Sequence, residues 1–204
     1  MFDNSLLAST TPQTLVAGVD EVGRGALFGS VVTAAVILPV SEIPRLIAVG
    51  VKDSKKLSPK RRQELIALIK QIATDSCIGL ATVAEIDRLN ILQASLLAMK
   101  RSVLGLRTMP DLCFVDGKFT IPDLDLKQQT VIKGDLRSPV IAAASILAKV
   151  WRDELIVALA EKYPQYDLAR NKGYPTNAHR LAIQKYGITP EHRRSFKSCQ
   201  NILS

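Results

Sequence analysis

The sequence predicts an α/β protein: a mixed β-sheet flanked by helices, with a small helical extension at the C-terminus. Two apolar, β-branched runs, Thr14 to Asp20 and Ser30 to Leu38, are separated only by a short Gly-rich connection, so they should pair antiparallel as a hairpin. Further short strands then alternate with helices, the order expected of a sheet covered by helices. With 204 residues, 47% of them apolar, the chain can bury one sizeable core.

Taken in order, residues 1–13 are polar, contain Pro12 and read as a loose lead-in. The main unit runs over 14–162, and 163–204 forms a helical segment packed on it. After the hairpin, Ser58 as N-cap and Pro59 at the first helical position open a helix whose Leu65, Ile66, Ile69 and Ile72 recur at helical spacing. Cys77 to Val83 reads as a strand, and the run from Glu85 to about Leu106 as one helix. Leu112 to Asp116 is an apolar strand that stops at Asp-Gly, and Thr130 to Lys133 another short strand before the Gly134-Asp135 turn. Ser138 and Pro139 cap a long helix to about Lys162, rich in alanine at first and so able to lie close to a sheet. A helix from Asn177 to Tyr186 and a short one near Glu191 finish the chain.

Lys and Arg number 27 against 19 Asp and Glu, a formal charge of +8, which favours a polyanionic partner. Cys77, Cys113 and Cys199 form no C-x-x-C pair and read as reduced thiols of a cytosolic protein. The start lacks signal-peptide character, and the longest apolar run, Val31 to Val40, is too short to cross a bilayer. The expectation is a soluble, cytoplasmic protein with no membrane association.

Chemistry concentrates at Val19-Asp20-Glu21-Val22-Gly23-Arg24-Gly25, where two adjacent carboxylates meet a basic residue held between glycines. Alternation of side chains along a strand separates Asp20 from Glu21 unless the pleat breaks or a cation reaches both. An ordinary Asp-Glu turn is the competing interpretation. Asp116 ends a second strand, and strand ends are where α/β sheets present ligands. On the long helix, Ser145, Lys149 and Asp153 share one face at i, i+4, i+8, either as part of a site or as the wet side of the helix. Four converging carboxylates, Asp20, Glu21, Asp116 and Asp153, would repel one another unless cations neutralise them. Oxygen ligands without Cys or His point to Mg²⁺ or Mn²⁺, and a pair of such ions is the clamp used for phosphodiester hydrolysis.

The ordered landmarks Val19 to Gly25, Asp53-Ser54-Lys55-Lys56-Leu57, Glu85-Ile86-Asp87, Val115-Asp116-Gly117, Lys133-Gly134-Asp135, Ala142 to Lys149, Arg152-Asp153 and Lys172-Gly173-Tyr174 with Thr176 and His179 resemble bacterial ribonuclease HII over nearly the whole length. The resemblance implies an RNase H-like fold, with Asp20, Glu21, Asp116 and Asp153 as catalytic, metal-binding residues. It implies that Gly23, Arg24, Gly25 and Tyr174 recognise an RNA-to-DNA junction, and that the C-terminal segment contributes to substrate binding. Ser54, Lys55 and Lys56 suit phosphate contacts, with Ser145 and Lys149 as further substrate-binding candidates. Lys133, Asp135, His179 and His192 receive no catalytic role.

The expected activity is hydrolysis of the RNA strand of RNA/DNA hybrids, and nicking 5′ of single ribonucleotides in duplex DNA, by a monomer using two Mg²⁺ or Mn²⁺ ions and leaving 3′-hydroxyl and 5′-phosphate ends. A non-catalytic nucleic-acid-binding protein on the same fold is the alternative, and its signature would be loss of part of the quartet. The short lead-in and Gly-Arg-Gly favour type HII over HIII. Two positions depart from the pattern: Trp151 stands where a small or polar residue is usual, and Asn171 replaces a frequent histidine.

Overall fold

The computed structural model describes residues 4–51 and 57–200. Strands β1 (Leu15–Val22), β2 (Val31–Pro39), β3 (Asp75–Ala81), β4 (Leu112–Asp116) and β5 (Gln128–Val131) form one sheet in the order β3-β2-β1-β4-β5. The hairpin β1-β2 is antiparallel, as is β2-β3, whereas β4 and β5 continue the sheet parallel to β1. The sheet is therefore mixed, as the sequence predicts. Asn4–Leu7 makes a 3₁₀ turn whose Leu6 joins the core.

Helices α1 (Ile43–Ala48), α2 (Pro59–Ile72), α3 (Val83–Leu89), α4 (Ile91–Leu104), α5 (Gly134–Arg137), α6 (Pro139–Lys162), α7 (Leu168–Asn171), α8 (Asn177–Tyr186) and α9 (Lys197–Gln200) complete the chain. The long helix starts where its signals place it: the Ser138 side chain accepts from the Ile141 N–H, with Pro139 at the first helical position. Ser58 caps α2 in the same way.

The helix predicted from Glu85 to Leu106 is two helices. Asn90 takes a φ of +71°, closing α3 and opening α4, while its Oδ1 accepts from the N–H groups of Leu92 and Gln93. The apolar periodicity runs unbroken through this point, so only the capping tendency of Asn marks the break. The short helix expected near Glu191 lies instead at Lys197–Gln200. Residues 189–193 make a turn whose His192 bridges to Phe28.

Alternation along β1 divides the core. Val16, with Leu112 and Phe114 of β4, faces the alanine-rich start of α6, while Ala17 and Val19, with Cys113 and Val115, pack against α4. Gly18 is the point of closest approach: a Cβ there would stand 2.3 Å from the Val140 carbonyl carbon and 2.4 Å from the Ile141 nitrogen. Both are backbone atoms, so α6 would have to move. Gly18→Ala should cost ~1–3 kcal/mol or more by overpacking, read as a lower urea midpoint. An unchanged midpoint would show that α6 can slide.

Candidate active site

Parallel pairing of Val19 with Val115 sets the next residues, Asp20 and Asp116, side by side at the carboxyl ends of adjacent strands, on the face that α6 covers. Glu21 starts from the opposite face. Even so, single ligand atoms of Asp20, Glu21 and Asp116 all lie within 4.8 Å of one another. No break in the pleat brings them together, because β1 stays paired with β2 as far as Val22. The chain leaves the strand only at Gly23, with a φ of +89°.

The carboxylates are held by neighbours. Asp20 Oδ1 accepts from the Glu21 N–H at 2.7 Å, and the Ser145 side chain also hydrogen-bonds Asp20. Asp116 Oδ1 accepts from the Gly134 N–H at 2.6 Å. Arg24 reaches back to Glu21 at 3.0 Å. Burial, reinforced by the charges of Glu21 and Asp116, pushes the Asp20 carboxyl well above the usual range. Burial also raises Glu21, against the pull of Arg24. Charge crowded in this way is what a bound cation relieves.

A cavity of about 380 Å³ opens over this cluster, lined by Asp20, Glu21, Val22, Asp116, Asp135, Ser145, Lys149 and Tyr174. The fourth carboxylate in its wall is Asp135, whereas Asp153, the fourth member of the expected quartet, does not line it. Asp153 pairs with Lys149 at 2.8 Å and lines a separate groove of about 510 Å³ with Arg62, Glu154 and Lys172. Helix geometry supplies the reason. Ser145 touches Asp20, and a residue eight positions further along lies about 12 Å away down the axis. Lys149, at half that distance, still reaches the cavity.

Asp135 is buried at the start of α5. It arrives through a local device: Lys133 adopts a left-handed conformation, and Gly134 bonds Asp116 and so brings its neighbour inward. The signal in the sequence is a Gly-Asp pair directly after a strand, which by itself reads as a turn.

Two buried arginines, of which only Arg152 falls within the family landmarks, hold the loop between β1 and β2 against the C-terminal segment. Arg152 donates to the carbonyls of Ser30 (3.2 Å), Lys172 (2.9 Å) and Phe28 (3.0 Å). Arg193 donates to the carbonyls of Gly29 and Arg24, both at 2.9 Å. A Cβ on Gly23 would meet Arg152 at 2.1 Å, so packing demands that glycine. A Cβ on Gly25 would enter open space, so packing does not demand that one.

Asn171 shapes the turn carrying Tyr174. Its amide donates to the Tyr166 carbonyl and its Oδ1 accepts from the Gly173 N–H. The Tyr174 ring then lies 5.5 Å from the Arg152 guanidinium and 5.8 Å from Lys149 Nζ. Trp151 sits away from the carboxylates, in a groove with Gln63, Lys70 and Glu154. Ser54, Lys55 and Lys56 lie outside the described residues. Among the described residues, no helix is long and apolar enough to cross a membrane.

A five-stranded mixed sheet that gathers carboxylates at the ends of its parallel strands defines a hydrolytic nuclease of the ribonuclease H class. Within that class the chain belongs to the ribonuclease HII family, whose model matches residues 17–199. A ribonuclease HII of Acaryochloris marina is 61% identical over 188 residues, which are 92% of this chain and 95% of that protein. A ribonuclease HII of Synechocystis is 53% identical over 92% of this chain and 98% of its own length. The crystal structure of the ribonuclease H2 from Pyrococcus horikoshii OT3 superposes with a TM-score of 0.78 at 30% identity, covering 93% of this chain and 97% of that one. The protein is thus a hydrolytic endoribonuclease acting on RNA/DNA hybrids.

Proposed function

We propose that the enzyme cuts the RNA strand of hybrids and also nicks duplex DNA 5′ of a single embedded ribonucleotide. The observation that carries this reading is the open space at Gly25, three residues along the chain from Val22 in the wall of a cavity that Tyr174 also lines. A 2′-hydroxyl both donates and accepts, and bare backbone can approach it where a side chain would intrude. Tyr174 presents a flat ring against which the following deoxyribose packs and a 2′-hydroxyl would not fit. Residues 14–162 then form the catalytic unit, and 163–204 contribute to substrate binding through Tyr174. Both parts come from one chain, and we take the enzyme to act as a cytoplasmic monomer.

Asp20, Glu21 and Asp116 would hold divalent cations, with Asp135 as a further carboxylate in the same wall. Their all-oxygen donor set and the raised Asp20 carboxyl fit Mg²⁺ or Mn²⁺. Two such ions, when bound, supply the Lewis acidity that hydrolysis requires. Ser145 orients Asp20, the Gly134 N–H orients Asp116, and Arg24 holds Glu21. Lys149 contributes positive charge at the cavity wall for a phosphate, and Ser54, Lys55 and Lys56 are the further phosphate contacts we propose.

The test compares three duplexes in Mg²⁺: all-DNA, DNA with one ribonucleotide, and a continuous hybrid. The last two should be cut, leaving 3′-hydroxyl and 5′-phosphate ends. Tyr174→Ala should reduce cutting at the single ribonucleotide more than binding of the hybrid. Cutting of all-DNA duplex, 2′,3′-cyclic ends, or equal losses in both Tyr174→Ala measurements would each overturn the corresponding part.

A further inference from the structure

The chain contains two histidines, and the fold buries both completely and packs them edge-on to Tyr166. His179 Nε2 lies 3.3 Å from His192 Nε2. His192 Nδ1 faces the Thr189 backbone N–H at 3.0 Å and the Thr189 hydroxyl at 2.9 Å. His179 Nδ1 faces the Tyr174 carbonyl at 2.9 Å. Those outer partners decide every proton in between. A backbone N–H can only donate, so His192 Nδ1 accepts and the proton of the neutral ring sits on Nε2. That proton points at His179 Nε2, which must accept. His179 therefore carries its own proton on Nδ1 and donates it to the Tyr174 carbonyl, which can only accept. Three bonds run in one direction, and no other arrangement of two neutral rings satisfies both ends.

The ends of this chain of bonds belong to the two segments placed at the substrate. Tyr174 is one. At the other end, His192 bridges Phe28, packs edge-on to its ring at 5.0 Å, and precedes Arg193, which holds the Arg24 carbonyl. The Gly173 carbonyl in turn accepts from the Leu27 N–H. We propose that His192 and His179 form a directional hydrogen-bond relay that positions Tyr174 relative to the Gly23-Arg24-Gly25 loop, making both histidines positioning residues for junction recognition.

Protonating His179 would set two N–H donors against each other across the Nε2···Nε2 contact, and protonating His192 would set its Nδ1–H against the Thr189 N–H. Burial works against this, pushing His192 down to about 4 and lowering His179 as well. The relay rests on the reading of Tyr174 given above only for its effect on substrate. Its existence is a separate matter of where two protons lie.

The wild-type protein answers the second point directly. A long-range ¹H–¹⁵N spectrum at neutral pH should show one histidine protonated on Nε2 and the other on Nδ1. Two rings with the same tautomer would overturn the relay. The first point needs His192→Phe, which keeps a ring in the aromatic stack but cannot donate, and His192→Gln, whose amide N–H can. Both variants leave the Thr189 N–H without its ring partner, so a merely structural role would damage them alike.

For His192→Phe, the ratio of kcat/KM on the single-ribonucleotide duplex to that on the continuous hybrid should fall about tenfold, the scale of one hydrogen bond. The ¹³C resonance of the Tyr174 carbonyl should also move. His192→Gln should restore both in the greater part. An unchanged ratio and carbonyl resonance in His192→Phe, or equal losses in the two variants, would refute the proposal. If Tyr174→Ala leaves the ratio unchanged, the junction reading fails on its own account, and the tautomers and carbonyl resonance alone decide the relay. Should His192→Phe not fold, the wild-type tautomers and His192→Gln still decide between a relay and plain packing.

Discussion

Asp20→Asn should reduce turnover by roughly a thousandfold or more, the equivalent of several kcal/mol of lost charge stabilisation in the transition state. It should do so without weakening the metal-free fold. The Asn amide keeps the shape of the carboxylate and an oxygen for the Glu21 N–H. It also removes a charge that burial and two neighbouring carboxylates oppose. The sign follows from linkage. The folded-state carboxyl titrates above its unfolded value, so near neutral pH the ionised group favours unfolding, and its removal leaves stability equal or higher. Divalent cation reverses the comparison: Mg²⁺ should raise the melting temperature of the wild type more than that of the variant, because a ligand bound only by the folded state stabilises it. Rates on a continuous hybrid, with thermal melts in EDTA and in Mg²⁺, check all of this. Retained activity would remove Asp20 from the reaction. A large fall in melting temperature in EDTA would contradict the account of its surroundings.

Arg152→Met should be the most destabilising single change among the buried polar residues. The methionine fills much of the arginine's volume but leaves the carbonyls of Phe28, Ser30 and Lys172 without their donor. Each such buried acceptor costs ~1–3 kcal/mol, and recovering the desolvation of one guanidinium offsets part of the sum. A net loss of ~3 kcal/mol or more is expected as a shift in the urea midpoint. Activity should fall further than the loss of folded protein explains, because the same three bonds hold the loop after β1 against the turn that carries Tyr174. Arg45→Ala, whose guanidinium stands in solvent beside Glu42, is the matching control and should leave the midpoint unchanged. Equal midpoints for Arg152→Met and wild type would show that these carbonyls find water.

The strand pattern is legible because each strand announces itself locally. β1 and β4 are apolar runs that stop near a carboxylate, so Asp20 and Asp116 stand out from the chain without any knowledge of their neighbours. Helix α6 is legible to the residue because Ser138-Pro139 is a start signal in its own right. The break at Asn90 is not, since an apolar stripe continues across it and the cap that Asn90 makes to Leu92 and Gln93 is its one local mark.

The site divides along the same line. The i, i+4, i+8 stripe meets the cavity at Ser145 and Lys149 and leaves it by Asp153, because a shared helix face says nothing about distance along the axis. Composition, order of elements and the carboxylates at strand ends belong to the sequence alone, for they depend on residues close together in the chain. Tertiary structure decided that Asp135 takes the fourth wall of the cavity, that Arg152 and Arg193 hold the Gly-Arg-Gly loop, and that two histidines thirteen residues apart face each other nitrogen to nitrogen. Each of these joins groups brought near only by the folded backbone, and polar side chains are satisfied by whatever partner the fold presents rather than by any period in the sequence.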